Sequence, residues 1–166
     1  MSTAPSPVVG RGPRLQQTLA ALLAQTPEIL AAAVVSFDGL PMASALPSSM
    51  DEDRVAAMSA ALLSLGERAA HGLGRGDLRQ VHVEGEHGTV LLVSALDEAV
   101  LVAVAGPEAK TGLIVFEVRR AAEQVGRVLQ DDTSDAAATS AEAASSAVHV
   151  PAGSAAATGW PVEAWR

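Results

Sequence analysis

Two almost wholly apolar segments, separated by a short turn, constrain the fold of this 166-residue chain more than any other feature. TVLLVSAL (89–96) and AVLVAVA (99–105) flank Asp97-Glu98. A strand with one wet face alternates apolar and polar residues, whereas a strand apolar at nearly every position is covered on both faces. A turn this short joins antiparallel strands. The sequence therefore predicts neighbouring antiparallel strands at the centre of a sheet that helices cover on both faces.

The remaining segments predict three helices and three more strands around this pair. The leucines of 15–23 recur at helical spacing, and Pro27 ends that helix. Segments 30–37 and 40–46 flank Asp38-Gly39, a pair typical of a type I′ hairpin turn. A second helix runs to about Leu73, LRQVHVE forms a strand, and a last helix follows Pro107 as far as Leu129. The predicted fold is α/β (α+β), a five-stranded antiparallel sheet in α-β-β-α-β-β-β-α order.

Residues that could fill a core are small and aliphatic, because aromatic residues make up only 2% of the chain. In the last strand Val100, Val102 and Val104 point to one face, while the opposite face carries alanines and Leu101. A face built of alanine allows a helix to approach closely. We therefore expect a core of Leu, Val and Ala.

Composition changes at both ends of the chain and predicts the domain boundaries. Residues 1–13 are rich in Pro and Gly and are predicted to be a flexible leader. Residues 131–166 are dominated by Ala, Ser, Thr and acids, which predicts a disordered tail that ends with Trp160 and Trp165. The folded domain is predicted to span 14–130, long enough to bury a substantial core.

Charge and composition exclude several classes of function. The net charge is −8, with one Lys and ten scattered Arg, which argues against nucleic acid as a partner. Without cysteine the chain has no disulfide, thiolate metal site or cysteine nucleophile. Its apolar stretches are too short to insert into a membrane, and MSTAPSPVVGRGPR has no signal-peptide core. We expect a cytoplasmic protein.

No residue pattern predicts catalysis, a metal or a cofactor. His82, Glu84, Glu86 and His87 lie close together in sequence, but His87 falls across a turn and a fourth ligand is not evident. The glycines of GLGRG follow a helix and precede a strand, the reverse of a phosphate-binding loop. The serines have neither a nucleophile elbow nor a placed His/Asp pair.

The second helix carries more apolar surface than one sheet face can bury. On a helical wheel its apolar or small residues cover roughly 200°, against about 100° for a simple surface helix. Beyond the bulky side of the helix, Ser59, Gly66 and Ala70 form a ridge with little side-chain bulk, beside Leu63. Such a ridge lets a second helix approach closely. We therefore predict a twofold homodimer in which this ridge meets its own copy.

Several segments together resemble the Roadblock/LC7 family, and in particular its bacterial members that accompany small Ras-like GTPases. The resemblance spans Leu15–Leu129 and rests on SFDGLPMAS, LGERAAHGLGRGDLRQVHVEGEHGTVLLV and ALDEAVLVAVAGPEAKTGLIVFEVRRAAEQV. The positions that fit the family pattern together are Gly39, Leu40, Ala43, Ser44, Gly88, Gly112 and Leu113. The resemblance implies a profilin-like fold.

The resemblance also implies a function. Family members dimerise through the second helix and the third strand, which adds Val81 and Val83 to the predicted interface. They have no active site and serve as regulators or scaffolds, which for this chain implies a small Ras-like GTPase as partner. Independently of the resemblance, Arg75 and Arg79 in the glycine-rich loop are the candidate residues for contact with that partner, and the alternative is an ordinary solvated loop. The alternative is a small-molecule-sensing α/β signalling module, which the Ala-dense, aromatic-poor core disfavours.

Overall fold

Residues 10–146 form three helices and five strands in the predicted order. A computed structural model describes the backbone of residues 10–146 and the side chains of residues 10–131. The elements are α1 (Arg11–Gln25), β1 (Ile29–Val35), β2 (Pro41–Ala45), α2 (Glu52–Gly72), β3 (Gln80–Gly85), β4 (Gly88–Ala95), β5 (Ala99–Ala105) and α3 (Thr111–Ser146). The strands form one sheet in the order β2-β1-β5-β4-β3, and every neighbouring pair is antiparallel. The predicted α+β fold class is confirmed.

Strand β5 lies at the centre of the sheet and faces a different core on each side. Val100 and Val102 pack in the smaller core, which α2 covers. Leu101 and Ala103 pack in the larger core, which α1 and α3 cover. The alternation predicted for this strand is thus confirmed, and the helices lie on both faces of the sheet. Both phenylalanines of the chain, Phe37 and Phe116, are exposed, so the core is built from aliphatic side chains.

Helices α1 and α3 pack antiparallel to one another on the larger core. Polar contacts join them near both ends of α1. Arg14 forms an ion pair with Asp131 at 3.0 Å, and the guanidinium of Arg120 donates to Oε1 of Gln25 at 2.6 Å. The apolar stripe of α1 is buried as predicted, with Leu15, Leu19 and Leu22 in the core.

The two ends of the domain extend further than the composition predicts. Helix α1 begins at Arg11 rather than after Pro13, because proline is compatible with the first helical turn. Helix α3 continues through residues 131–146 to Ser146, a segment rich in alanine, the strongest helix former. Residues 1–9 and 147–166 lie outside the described part, and with them most of the predicted leader and the predicted tail with Trp160 and Trp165.

The loop between β1 and β2 is longer than the predicted two-residue turn. Gly39 has a φ of +87°, but Asp38 does not share it, so the type I′ prediction is wrong. The backbone N–H of Ser36 donates to Leu40 O at 2.9 Å, and the Ser36 hydroxyl donates to the Asp38 carboxylate. These local hydrogen bonds stabilise a longer loop in place of the two-residue turn.

Gly88, at the start of β4, is required by a close approach between backbones. Its φ is +136°, and a Cβ there would lie 2.1 Å from the carbonyl oxygen of Ala105. Gly88→Ala is therefore expected to destabilise the fold by about 2–4 kcal/mol. The measurement is the free energy of unfolding in urea, with Gly85→Ala as the control across the same hairpin. A Cβ at Gly85 meets its nearest atom at 3.6 Å, so this variant should unfold like the unaltered chain. Equal effects of the two changes would contradict the prediction.

Candidate interaction surface

Helix α2 directs Ala56, Ser59 and Leu63 toward the sheet. Asp51 caps the helix by accepting a hydrogen bond from the backbone N–H of Arg54 at 2.8 Å, and the acidic residues Glu52 and Asp53 occupy the first turn. Ala56, Ser59 and Leu63 are buried against the smaller core. The Ser59 hydroxyl donates to Val55 O at 2.7 Å, which satisfies its buried oxygen.

Gly66 permits close contact between α2 and the beginning of β3. A Cβ at this position would lie 2.8 Å from Cδ2 of Leu78 and 3.1 Å from Cγ2 of Val81. The small ridge thus packs within the chain, with Ser59 and Leu63 4% and 3% exposed and Gly66 and Ala70 half-buried. This corrects the assignment of the ridge to contact with a second copy. The physical reason is that α2 approaches Leu78 and Val81 of the same chain so closely that no larger side chain fits at Gly66.

The bulky apolar residues of α2 remain on the outside. Met58 and Leu65 are 55% and 58% exposed, Ala69 is exposed and Leu62 is half-buried. These four residues, here called the outer stripe, fall within one narrow sector of the helix at a 100° step. Leu62 packs partly against the smaller core, whereas Met58, Leu65 and Ala69 remain exposed within the described residues.

Strand β3 continues the outer stripe to the edge of the sheet. Val81 and Val83 pair with Leu92 and Val90, and these partners belong to the core under α2. Both valines therefore lie on the α2 face of the sheet. Val81 is half-buried beside Gly66, and Val83 is 40% exposed. The outer stripe together with Val81 and Val83 is called the α2–β3 surface below.

The two edge strands of the sheet differ in whether another part of the chain contacts their outer backbone groups. At the β2 edge, the side-chain amide of Gln16 on α1 donates to the Ser44 carbonyl oxygen at 2.7 Å, so a side chain occupies a group that would otherwise pair with another strand. Strand β3 forms the other edge and pairs only with β4 within residues 10–146. An edge of this kind accepts a further strand.

Arg75 and Arg79 lie in the connection between α2 and β3. Gly74 and Gly76, which flank Arg75, have positive φ, and the Arg75 backbone N–H donates to Ala70 O at 2.7 Å to close the helix end. Both arginine side chains are exposed. Both residues lie in the segment that joins α2 to β3.

The polar residues of β3 do not assemble into a metal centre. His82 and Glu84 lie on the sheet face opposite Val81 and Val83, while His87 occupies the turn before β4. Within the described part, no group of three or more His, Cys, Asp or Glu side chains could hold a metal ion. Two clefts, one beside His82 and one between α1 and α3, each hold about 10 Å³, room for one water molecule. Among the described helices, none has the length and hydropathy that a membrane span requires.

Comparison with known proteins identifies the family. The sequence profile of the Roadblock/LC7 domain matches residues 15–105. The chain belongs to the Roadblock/LC7 domain family. The uncharacterized protein MJ1340 of Methanocaldococcus jannaschii is 42% identical over 103 residues, which cover 62% of this chain and 90% of that protein. The family membership expected from the sequence resemblance is confirmed.

Solved structures share the architecture. A Roadblock/LC7 domain from Streptomyces avermitilis is 28% identical, with a TM-score of 0.65 over 69% of this chain and 97% of that chain. MglB of Myxococcus xanthus is 14% identical, with a TM-score of 0.67 over 79% of this chain and 96% of that chain. Profilin II of Acanthamoeba castellanii, 18% identical, has a TM-score of 0.51 over 68% of this chain and 96% of that chain, which confirms the profilin-like fold.

The place of Gly66 in this Roadblock/LC7 domain generates a prediction about stability. Gly66→Leu forces a side chain against Leu78 and Val81 of the same chain and should cost about 1–3 kcal/mol of folding free energy. Chemical denaturation at several protein concentrations measures the free energy of unfolding. We expect the variant to be less stable than the unaltered chain at every concentration. Ser64→Leu, on the exposed side of the helix, serves as the control and should leave stability within about 0.5 kcal/mol. A loss of stability that depends on protein concentration, together with weaker self-association, would instead place Gly66 in an interface between two copies.

Proposed function

We propose that this protein is a non-enzymatic, homodimeric, cytoplasmic regulator or scaffold of a small Ras-like GTPase. The observation that carries the proposal is the α2–β3 surface, which combines exposed apolar side chains with an open sheet edge on a Roadblock/LC7 domain. The proposed homodimer interface retains Val81 and Val83 from the sequence prediction and replaces the ridge residues of α2 by the outer stripe, Met58, Leu62, Leu65 and Ala69.

A second copy of the chain fits the α2–β3 surface. The outer stripe is apolar and lies along one helix, so a twofold axis beside β3 would bring two such stripes onto the same side of a joined sheet. Taking Met58 and Leu65 out of water would contribute about 1–2 kcal/mol each. Edge-to-edge pairing of β3 would satisfy its free backbone groups at the same time. Both features favour one occupant, a copy with the same stripe and the same edge.

The proposed GTPase partner rests on the family resemblance and on the character of the fold. The resemblance to bacterial members that accompany Ras-like GTPases implies this class of partner, and MglB is among the proteins with the same architecture. The clefts near His82 and between α1 and α3 are too small for a ligand larger than water, which favours a protein partner over a small molecule. Regulation would then act through surface contact, without a nucleophile or a metal from this chain.

Disrupting the outer stripe should abolish dimerisation without unfolding the chain. Leu65→Glu places a carboxylate in the interface twice, once per copy, and should raise the dimer dissociation constant about a hundredfold or more. Sedimentation velocity over a dilution series measures the change, and the melting curve shows that the fold is retained, because Leu65 is exposed in the single chain. Ser64→Glu adds the same charge on the neighbouring, polar side of α2 and should leave the dimer intact. A Leu65→Glu variant that sediments as the unaltered protein would place the interface elsewhere.

Partner binding is tested with the small Ras-like GTPases encoded in the same genome. The purified protein is mixed with each in its GDP and GTP-analogue states, and complex formation and GTP turnover are measured. We expect a complex with at least one GTPase. Arg75→Ala combined with Arg79→Ala should weaken that complex less than about tenfold and leave turnover largely unchanged, because neither arginine is required to supply charge in the transition state. Loss of turnover by several orders of magnitude with binding intact would make the loop catalytic, and absence of any complex would refute the GTPase partner.

A further inference from the structure

The pairing of β3 with β4 determines which backbone groups of β3 point outward. The N–H of Ser94 donates to the carbonyl of Arg79 at 3.3 Å, in register with the β3–β4 ladder. Hydrogen-bonded pairs alternate along antiparallel strands, so Val81, Val83 and Gly85 direct their backbone groups to β4. Gln80, His82 and Glu84 therefore direct theirs away from β4, toward the open edge.

The position of these outward residues selects one register for a second copy of β3. In an antiparallel pair related by a twofold axis perpendicular to the sheet, facing residues lie on the same side of the sheet. With His82 on the axis, Gln80 faces Glu84 of the second copy, His82 faces His82, and Glu84 faces Gln80, so every outward residue is hydrogen bonded. A shift in either direction moves Gln80 or Glu84 opposite a residue outside the strand, which loses backbone hydrogen bonds.

This register also gives the better apolar contacts on the α2 face. Val81 and Val83 then occupy the positions between hydrogen-bonded pairs, where facing side chains approach most closely. Each Val81 faces Val83 of the second copy, and the contact occurs twice. With Val83 on the axis instead, Val81 would face Gly85, which has no side chain to pack against it.

We propose that the homodimer joins its sheets with His82 on the twofold axis, and that protonation of the two facing imidazoles weakens it. The inference rests on the homodimer proposed above and concerns how that interface is aligned and regulated. Histidine is the side chain that ordinarily changes charge between pH 5 and 8. Two imidazolium groups on facing residues of a sheet repel each other, so the dimer binds fewer protons than two separate chains and loses stability as the pH falls.

The charged groups around His82 leave this repulsion only partly compensated. On its own strand, Glu84 lies on the same face and supplies one carboxylate per copy. From α3, the guanidinium of Arg119 donates to the Gln80 side chain at 3.0 and 2.6 Å and brings a positive charge to the same face. Among the residues that line the described cleft beside His82, from β4, β5, α3 and the segment before α3, there is no further charged side chain. With both histidines protonated, the groups named here carry four positive charges, from two His82 and two Arg119, and two negative charges, from two Glu84.

The register can be measured by cross-linking, because the chain contains no cysteine. In the proposed dimer the two Cα atoms of position 82 are about 5.5 Å apart, within disulfide range. His82→Cys should therefore form a covalent dimer on mild oxidation in the full-length protein. Position 83 faces position 81 instead and is about 7–8 Å from its own copy, so Val83→Cys should stay largely uncross-linked. Cross-linking of Val83→Cys in place of His82→Cys would overturn the register, as would a dimer in which neither position cross-links.

The pH dependence is measured on the unaltered protein by sedimentation equilibrium at pH 7.5 and pH 5.5. We expect the dimer dissociation constant to rise about tenfold at the lower pH. His82→Gln keeps a polar, uncharged side chain and should remove the dependence, whereas His87→Gln, in the exposed turn, should retain it. A dimer insensitive to pH, or a dependence that survives in His82→Gln, would overturn the inference. A chain that is monomeric at both pH values would instead refute the proposed homodimer.

Discussion

The arrangement of this domain depends on how β5 divides its side-chain volume between its two faces. Toward α2 it presents Val100 and Val102, and toward α1 and α3 it presents alanines around Leu101. Because protein interiors are close-packed, large side chains on one face of a sheet leave less room for the side chains of the helix that covers it, and small side chains leave more. The leucine stripe of α1 and the aliphatic residues of α3 cover the alanine face, whereas α2 covers the valine face with Ala56 and Ser59 together with Leu63. The assignment of helices to faces follows from this complementarity.

The surface available for assembly is a consequence of the same packing. Because α2 packs Ala56, Ser59 and Leu63 against the sheet, the large apolar side chains of Met58 and Leu65 stay more than half exposed in the single chain. The open edge at β3 lies next to them, while the edge at β2 is occupied by Gln16 of α1. The packing of α2 on the sheet thus places the exposed apolar stripe of the helix beside the edge of β3 that pairs with no strand of residues 10–146. Self-association through both at once needs no change in the fold of either chain.

The sequence predicted the elements, their order and the sheet class, because these depend on local periodicity that each segment carries by itself. It misplaced the ridge of Ser59, Leu63, Gly66 and Ala70, because a helical wheel shows how wide an apolar arc is but not which part of it faces the sheet. That choice depends on the volume of the facing strands, which are distant in sequence. The sequence did contain a usable signal, since the valine face of β5 already called for a slim partner.

The contrast between the two faces of β3 bears on how such a domain can be regulated. On the α2 side, valine-to-valine contacts would give a dimer its affinity, and their strength changes little with pH. On the α3 side, His82, Glu84 and Arg119 would make the free energy of dimerisation depend on the protonation of His82. Because both faces belong to one strand in one register, the apolar contacts cannot form without also bringing the imidazoles together. Affinity and its regulation would therefore be coupled through the geometry of a single antiparallel pair.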